Sequence, residues 1–147
     1  MTDHKKPIEN GVNAKPGEAG RDLRVLVADD HSVMRDGLAS LLSDVDGIEV
    51  VGQAGDGREA LAEIHRLEPD VAVVDVSMPL MDGIELTRRL REEHRGVQVV
   101  GLSMFEEKQV ARQMLDAGAV AYLVKSGPVE ALVSSVLACG GTRGRKE

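Results

Sequence analysis

The sequence predicts an α/β fold built on a five-stranded parallel sheet. Between residues 22 and 140, apolar runs alternate five times with segments of helical periodicity, the pattern of strands joined by crossover helices. The predicted strands are about 23–28, 48–54, 70–75, 97–102 and 120–124. Four of these runs are followed by a polar or charged residue, and we expect those residues to meet at the carboxyl edge of the sheet.

The connecting segments carry helix signals of two kinds. Apolar residues recur at helical spacing from Met34 to Val45 and from Val129 to Leu137, which predicts two helices that pack on the sheet. Two other helices are predicted to begin at Asp56–Glu59 and Asp82–Glu85. In each, the Asp caps the first turn and the Glu reaches back to satisfy an orphan amide.

A single domain is predicted between two polar tails. Residues 1–21 combine prolines and glycines with charges of both signs and lack apolar periodicity, which is typical of a disordered tail. Gly140 and Gly141 are predicted to end the last helix, and residues 141–147 to form a basic linker or tail. The intervening residues 22–140 are enough for one hydrophobic core.

Composition disfavours several classes of function. The net charge of −7 opposes DNA binding by this domain, and one Phe, one Tyr and no Trp leave little for stacking on single-stranded nucleic acid. The single Cys139 cannot form an internal disulfide and no apolar run is long enough to cross a membrane, so a cytoplasmic location is expected. The four histidines lack zinc-ligand spacing, and His31 and His65 are expected to be structural.

Three aspartates and one lysine follow three different predicted strands. Asp29 and Asp30 follow the first, Asp75 ends the third and Lys125 follows the fifth. Carboxylates a few ångströms apart raise one another's pKa or recruit a cation, and hard oxygen ligands suit Mg²⁺. We therefore expect a magnesium site in which Asp29, Asp30 and the backbone carbonyl of Ser77 hold the ion, with Lys125 as a second counter-charge.

The predicted strand order assigns the nucleophile. In a flavodoxin-like sheet of order 2-1-3-4-5, Asp75 ends the central strand between the tips that carry Asp30 and Ser103. A metal ion and Lys125 would neutralise a transferring phosphoryl group, so that one carboxylate can attack it. Asp75 is therefore predicted to be the phosphoacceptor.

Ordinary structural roles are the alternatives for the same residues. The Asp29–Asp30 pair would cap the first helix, where carboxylates are favourable. Ser103 would be a loop serine, Lys125 a solvated lysine and Tyr122 half-buried packing. Capping does not explain Asp75, because an unpaired acid at the end of a buried strand is costly.

Four segments carry a family resemblance in the same chain order. They are Val27–His31, Asp75–Gly83, Leu102–Met104 and Tyr122–Lys125. Together they resemble the receiver domain of two-component response regulators, a CheY-like fold, and are most similar to the NarL/LuxR-type transcription regulators. The resemblance covers about residues 22–140.

The resemblance implies a phosphorelay function. A sensor histidine kinase would phosphorylate Asp75, with Mg²⁺ bound through the Asp29–Asp30 pair and Asp75 itself, and with Lys125 touching the phosphoryl oxygens. Ser103 would turn to hydrogen-bond the phosphoryl group, and Tyr122 would follow it inward. This motion would remodel the surface formed by the fourth helix, the fifth strand and the fifth helix.

The expected output is transcription control through a C-terminal helix-turn-helix domain that would follow this sequence, and DNA is expected as a partner only through such a domain. A stand-alone receiver that acts by protein–protein interaction is the alternative. A homodimer formed on phosphorylation is a further candidate partner. An enzyme is not expected beyond self-phosphorylation and autodephosphorylation, since a phosphohydrolase would need a second acid where Ser77 lies.

Two departures from the family pattern bear on the site. Ser126 follows Lys125 where many receivers carry a cis-proline, and a cis bond before a non-proline residue would cost about 2.5–4 kcal/mol. Phe105 is bulky and apolar where many relatives carry polar groups. We expect it to restrict the hydrolytic water and to prolong the phosphorylated state.

Overall fold

Five strands alternate with five helices in the computed structural model, which describes residues 21–143 and their side chains as far as residue 140. The strands are β1 (Leu23–Ala28), β2 (Ile48–Ala54), β3 (Val71–Asp75), β4 (Gln98–Ser103) and β5 (Ala121–Val124). The helices are α1 (Ser32–Ser43), α2 (Gly57–Leu67), α3 (Gly83–Glu93), α4 (Lys108–Ala117) and α5 (Val129–Arg143). The strand bounds agree with the predicted ones to within one residue.

The strands form one parallel sheet in the order β2-β1-β3-β4-β5. This confirms the predicted flavodoxin-like order, with β3 in the centre. Backbone hydrogen bonds continue the ladders just beyond the strands, from Asp29 N to Ala54 O at 3.0 Å and from Lys125 N to Ser103 O at 2.7 Å. The residues at the carboxyl edge are therefore held by the sheet rather than by free loops.

Two apolar layers cover the sheet, one on each face. Alternate strand residues point to opposite sides, as the period of a strand requires. On one face, α1 and α5 pack through Leu42, Leu132 and Val136. On the other face, α2, α3 and α4 pack through Ile64, Leu86, Leu90 and Met114.

The apolar stripe predicted on the last helix is only partly buried. Leu132 and Val136 are in the core, but Val129 and Leu137 stay 48% and 40% exposed. Val129 is the first residue of α5, and Leu137 lies at one side of the stripe. Within the described part of the chain, no helix combines the length and the apolar character needed to span a bilayer.

Both predicted aspartate caps are present, but only one glutamate reaches back. The Asp56 carboxylate accepts from Glu59 N, and the Asp82 carboxylate accepts from Glu85 N. The Glu59 carboxylate accepts from Gly55 N at 2.8 Å, which closes the first turn of α2. The reciprocal contact predicted for Glu85 is replaced by an ion pair with Arg88 at 2.8 Å, one turn along α3.

The predicted helix stop at Gly140–Gly141 is wrong, because α5 continues to Arg143. A Cβ atom at Gly140 would lie 3.2 Å from Leu23 Cδ1, so the glycine allows the helix to approach the start of β1 closely. Residues 1–20 of the predicted tail over 1–21, and the last four residues of the predicted linker, lie outside the described residues. The domain bounds 22–140 stay a prediction.

Candidate functional site

Three carboxylates converge at the carboxyl edge of the sheet, as the sequence predicts. Asp29 and Asp75 are buried at 0% and 3% exposure, and Asp30 lies beside them at the surface. One ligand atom from each of Asp29, Asp30, His31 and Asp75 lies within 4.8 Å of all the others. These groups are close enough together to contact one ion.

Lys125 lies in the middle of this cluster and is not a solvated lysine. Its side chain is 3% exposed, and its Nζ atom lies 2.9 Å from Asp29 Oδ2 and 3.3 Å from Asp75 Oδ2. The described residues contain no cis peptide bond, so the Lys125–Ser126 bond is trans. The ammonium reaches the two buried acids without the cis-proline that many receivers carry after this lysine.

The charges in the cluster do not balance. Three carboxylates face one ammonium, and burial raises the pKa of the Asp75 carboxyl from 3.8 to about 6, with Lys125 opposing the rise and Asp29 adding to it. Among the described residues, the Lys125 ammonium is the one donor near the buried atoms Asp29 Oδ2 and Asp75 Oδ2, at 2.9 and 3.3 Å. Hard carboxylate oxygens that share a single ammonium fit a divalent cation such as Mg²⁺.

The loop after β3 fixes the position of Asp75. Gly83 N donates to Val76 O at 2.8 Å, so the first turn of α3 packs directly on the end of the strand. A Cβ atom at Gly83 would lie 2.5 Å from Asp75 O and 2.8 Å from Val76 Cα. Only glycine fits between α3 and the backbone of the central aspartate.

Ser77 contacts Asp75 through its backbone N–H group. Its backbone N–H donates to Asp75 Oδ1 at 3.3 Å, a long hydrogen bond that favours the ionised carboxylate. The predicted metal contact through its carbonyl oxygen stays a prediction. The residue is exposed in the loop that begins directly after Asp75.

Asp29 is held by His31 and by Arg35, and the sequence patterns did not single out Arg35. His31 N donates to Asp29 Oδ1 at 2.9 Å, and the guanidinium of Arg35 donates from Nη1 to Asp29 O at 2.8 Å. Arg35 Nε also donates to Gln53 Oε1 at 3.2 Å, which ties this loop to β2. The sequence carries no spacing signal for Arg35, because its contacts are with backbone and with a residue on another element.

Two histidine expectations need revision. His31 was expected to lack ligand partners, but its Nδ1 atom lies 3.2 Å from Asp30 Oδ1 and 3.4 Å from Asp29 Oδ1. His65 lies on the surface, where its Nδ1 atom is 2.5 Å from His94 Nε2. Neither histidine supports the core.

Ser103 and Tyr122 are joined through the loop after β4. Ser103 Oγ donates to Phe105 O at 3.0 Å, and Tyr122 OH donates to the same oxygen at 3.3 Å. Ser103 follows Leu102, which pairs with Asp75 across the β3–β4 ladder. The serine hydroxyl therefore lies on the strand next to the central aspartate, as predicted, and it is bonded away from it to Phe105.

Comparisons with known proteins agree with this geometry. A family model described as the response regulator receiver domain matches residues 25–137. The response regulator GacA of Pseudomonas viridiflava is 40% identical over 114 residues, which are 78% of this chain and 53% of that protein. The chain thus spans about half the length of the curated relatives it matches.

Solved structures give the same result. The signal receiver domain of the putative response regulator NarL from Mycobacterium tuberculosis is 36% identical, with a TM-score of 0.79, and the match covers 84% of this chain and 99% of that one. A CheX–CheY–BeF₃–Mg²⁺ complex from Borrelia burgdorferi is 26% identical, with a TM-score of 0.74 and coverage of 81% and 90%. With these matches, the five-stranded sheet and its acidic edge have a single explanation: the chain belongs to the family of response regulator receiver domains.

Proposed function

We propose that this domain accepts a phosphoryl group on Asp75 from a sensor histidine kinase. The observation that carries the proposal is the Lys125 ammonium between the buried carboxylates of Asp29 and Asp75, at 2.9 and 3.3 Å. A buried lysine in contact with a nucleophile's carboxylate is well placed to pair with the oxygens of an arriving phosphoryl group.

Mg²⁺ is the cofactor we infer for the site. Asp29, Asp30 and Asp75 would hold it, together with the backbone carbonyl of Ser77, and the bound ion would neutralise phosphoryl oxygen charge. The charge deficit of the cluster, in which three carboxylates share the Lys125 ammonium, supports this assignment. The related CheY complex is described with BeF₃ and Mg²⁺, which is the same pairing of a phosphoryl mimic with this ion.

The chain's own residues would then divide the chemistry. An Asp75 carboxylate oxygen attacks phosphorus and forms the P–O bond, while the P–N bond of a donor phosphohistidine breaks. The electron pair returns to that ring nitrogen, and a proton on the other ring nitrogen of the donor makes the leaving group a neutral imidazole. A pKa near 6 leaves this carboxylate mostly ionised at pH 7, so it is a competent nucleophile. Lys125 leaves its contact with Asp75 Oδ2 and pairs with a phosphoryl oxygen.

The switch would act through Ser103. Its hydroxyl donates to Phe105 O in this structure, and a phosphoryl group on Asp75 would offer a charged acceptor, which binds a hydroxyl more strongly than a neutral carbonyl does. When the Ser103 hydroxyl turns toward the phosphoryl group, it leaves Phe105 O, the oxygen to which Tyr122 OH also donates. The Tyr122 ring would then move inward. The surface of α4, β5 and α5 would change with it.

We propose that the domain controls transcription, because its relatives contain more chain than the receiver domain alone. Relatives such as GacA are about twice as long as the matched segment, which supports a larger regulator that controls transcription through a DNA-binding domain. Phosphorylation would expose a partner-binding surface, a homodimer interface included. Family membership and the single Cys139 also support a cytoplasmic site of action.

Mass spectrometry with acetyl phosphate and Mg²⁺ tests the phosphoacceptor directly. We expect one added phosphoryl group, lost in Asp75→Asn and retained in Asp82→Asn. The second variant is a matched control, because Asp82 lies in the same loop and asparagine caps α3 as well as aspartate does. An adduct that persists in Asp75→Asn would overturn the assignment.

A further inference from the structure

His31 presents a ring nitrogen to the acidic cluster that the proposed phosphoryl transfer does not use. Its Nδ1 atom lies 3.2 Å from Asp30 Oδ1 and 3.4 Å from Asp29 Oδ1, while the ring is 61% exposed. The residue occupies the N-cap position of α1, yet its side chain makes no capping hydrogen bond. Capping therefore does not account for the orientation of the ring.

The distances match those between neighbouring ligands of one metal ion. The ligands of a tetrahedral Zn²⁺ lie about 2.0–2.2 Å from the ion, so any two of them are about 3.3–3.6 Å apart. His31 Nδ1 is close to this spacing from Asp29 Oδ1 and Asp30 Oδ1, at 3.4 and 3.2 Å, and the ligand atoms of the four residues, Asp75 included, lie within 4.8 Å of one another. A small movement of these side chains would bring four protein donors to one ion.

His31 and Lys125 approach Asp29 from different sides. The imidazole faces Asp29 Oδ1, whereas the ammonium is 2.9 Å from Asp29 Oδ2. An ion bound on the His31 side therefore need not displace the lysine from its carboxylate oxygen. The exposed ring can also turn to solvent when an ion binds that prefers oxygen ligands.

We propose that His31 is a metal ligand through Nδ1, which allows this site to bind a borderline transition ion such as Zn²⁺ as well as Mg²⁺. Imidazole suits Zn²⁺, Ni²⁺ and Cu²⁺, whereas Mg²⁺ takes oxygen ligands. The set of one nitrogen and three carboxylates would favour the borderline ion, and Mg²⁺ would bind through the carboxylates alone. This inference rests on the proposed function for the existence of a cation site.

Long-range ¹H–¹⁵N spectra of the histidine rings, recorded with one equivalent of Zn²⁺, identify the bound nitrogen. We expect the His31 Nδ1 resonance to move to a metal-bound position, and excess Mg²⁺ to reverse the change. His65 and His94 act as an internal control, because they are the other histidines of the described chain and their ring nitrogens are paired with each other. A response confined to His65 and His94 would overturn the proposal.

Calorimetry on His31→Asn gives a second, quantitative readout. Asparagine is a favourable N-cap, so the variant keeps the start of α1. We expect Zn²⁺ affinity to fall about ten-fold or more, since the loss of even an outer-shell partner costs 10- to 100-fold, and Mg²⁺ affinity to stay unchanged. An equal loss for both ions, or no loss for Zn²⁺, would contradict a ligand role for His31.

The two experiments separate this inference from the proposed function. If Mg²⁺ and Zn²⁺ both bind and His31 Nδ1 does not respond, the histidine is not a ligand and the phosphoacceptor proposal stands. If neither ion binds in the wild-type domain, the cation site itself is absent. The proposed function then fails together with the role of His31.

Discussion

Ser103 and Tyr122 donate hydrogen bonds to one acceptor, the backbone carbonyl oxygen of Phe105, at 3.0 and 3.3 Å. The two residues belong to adjacent strands, β4 and β5, whose ladder pairs Gly101 with Tyr122 and Ser103 with Val124. A rotation of the serine hydroxyl therefore changes the surroundings of the tyrosine hydroxyl through a single shared atom.

Removal of the Ser103 hydroxyl should uncouple Tyr122 from the phosphorylation site. In the wild type, beryllofluoride with Mg²⁺ is expected to shift the Tyr122 ring resonances, and Ser103→Ala should abolish most of this shift while the mimic still binds. Ser134→Ala, an exposed serine on α5, is the matched control and should respond as the wild type does. An unchanged Tyr122 response in Ser103→Ala would mean that another contact transmits the signal.

Asp75 should make the metal-free domain less stable as the pH rises. Its folded pKa of about 6 exceeds the unfolded value of 3.8, so the neutral acid favours the folded state below pH 4 and this contribution is lost as the pH passes 6. A rise of about two pKa units corresponds to about 3 kcal/mol. We expect urea unfolding in EDTA to show that, between pH 4 and 7, the free energy of unfolding of Asp75→Asn rises relative to that of the wild type by up to about 3 kcal/mol.

Added Mg²⁺ supplies the control for this pH dependence. The bound ion would stabilise the ionised Asp75 carboxylate, so the wild type should recover stability at neutral pH and the variant should gain less. Parallel pH profiles for the wild type and Asp75→Asn in EDTA would show that burial does not raise this pKa.

Gly83→Ala should damage both stability and phosphorylation. The new methyl group would meet Asp75 O at 2.5 Å and Val76 Cα at 2.8 Å, both backbone atoms that cannot move aside cheaply. Overpacking of this kind costs about 1–3 kcal/mol, and the displaced Asp75 should react more slowly with acetyl phosphate.

Gly37→Ala is the matched control for Gly83→Ala. Gly37 lies in α1 with no atom within 4 Å of the added Cβ position, so this alanine should instead stabilise the domain by about 0.5–1 kcal/mol. Chemical denaturation and the rate of acetyl phosphate uptake check both variants. Equal effects at the two glycines would contradict the close contact behind Asp75.

Phe105 should lengthen the lifetime of the phosphorylated state. Its side chain is 69% exposed beside the site, whereas the switch contacts use only its backbone carbonyl. Phe105→Glu therefore keeps the backbone oxygen that accepts from Ser103 and Tyr122. It replaces the apolar ring beside the site with a carboxylate that can hold the hydrolytic water. The half-life of the aspartyl phosphate, followed with Mg²⁺ present after the phosphodonor is removed, should be shorter in the variant. An equal or longer half-life in the variant would reject the idea.

The sheet and its reactive edge were predictable because they follow from chain order. Parallel strands joined by helices bring their carboxyl ends together, so Asp29, Asp75, Ser103 and Lys125 were assigned to one place from the residue that follows each apolar run. The contacts of Lys125 with Asp29 and Asp75 confirm that assignment.

Features set by distant packing or by side-chain rotamers were not predictable. Gly140 was predicted to end the last helix, whereas in the structure it allows a close contact with Leu23. These residues are far apart in sequence, so the sequence pattern does not reveal their contact. The Glu85 carboxylate could accept from a backbone amide at the start of α3 or pair with Arg88, and the side-chain rotamer of Glu85 determines which contact forms. The ring of His31 likewise turns toward Asp30, which the order of residues in the loop does not reveal.

Chemical identification of the phosphorylated residue tests the central claim most directly. Borohydride reduces an aspartyl phosphate to homoserine, and tandem mass spectrometry of the reduced, digested domain locates that residue. We predict homoserine at position 75 after treatment with acetyl phosphate and Mg²⁺, and none when EDTA replaces the ion. Homoserine at position 29 or 30, or at position 75 without any need for a divalent ion, would contradict the account.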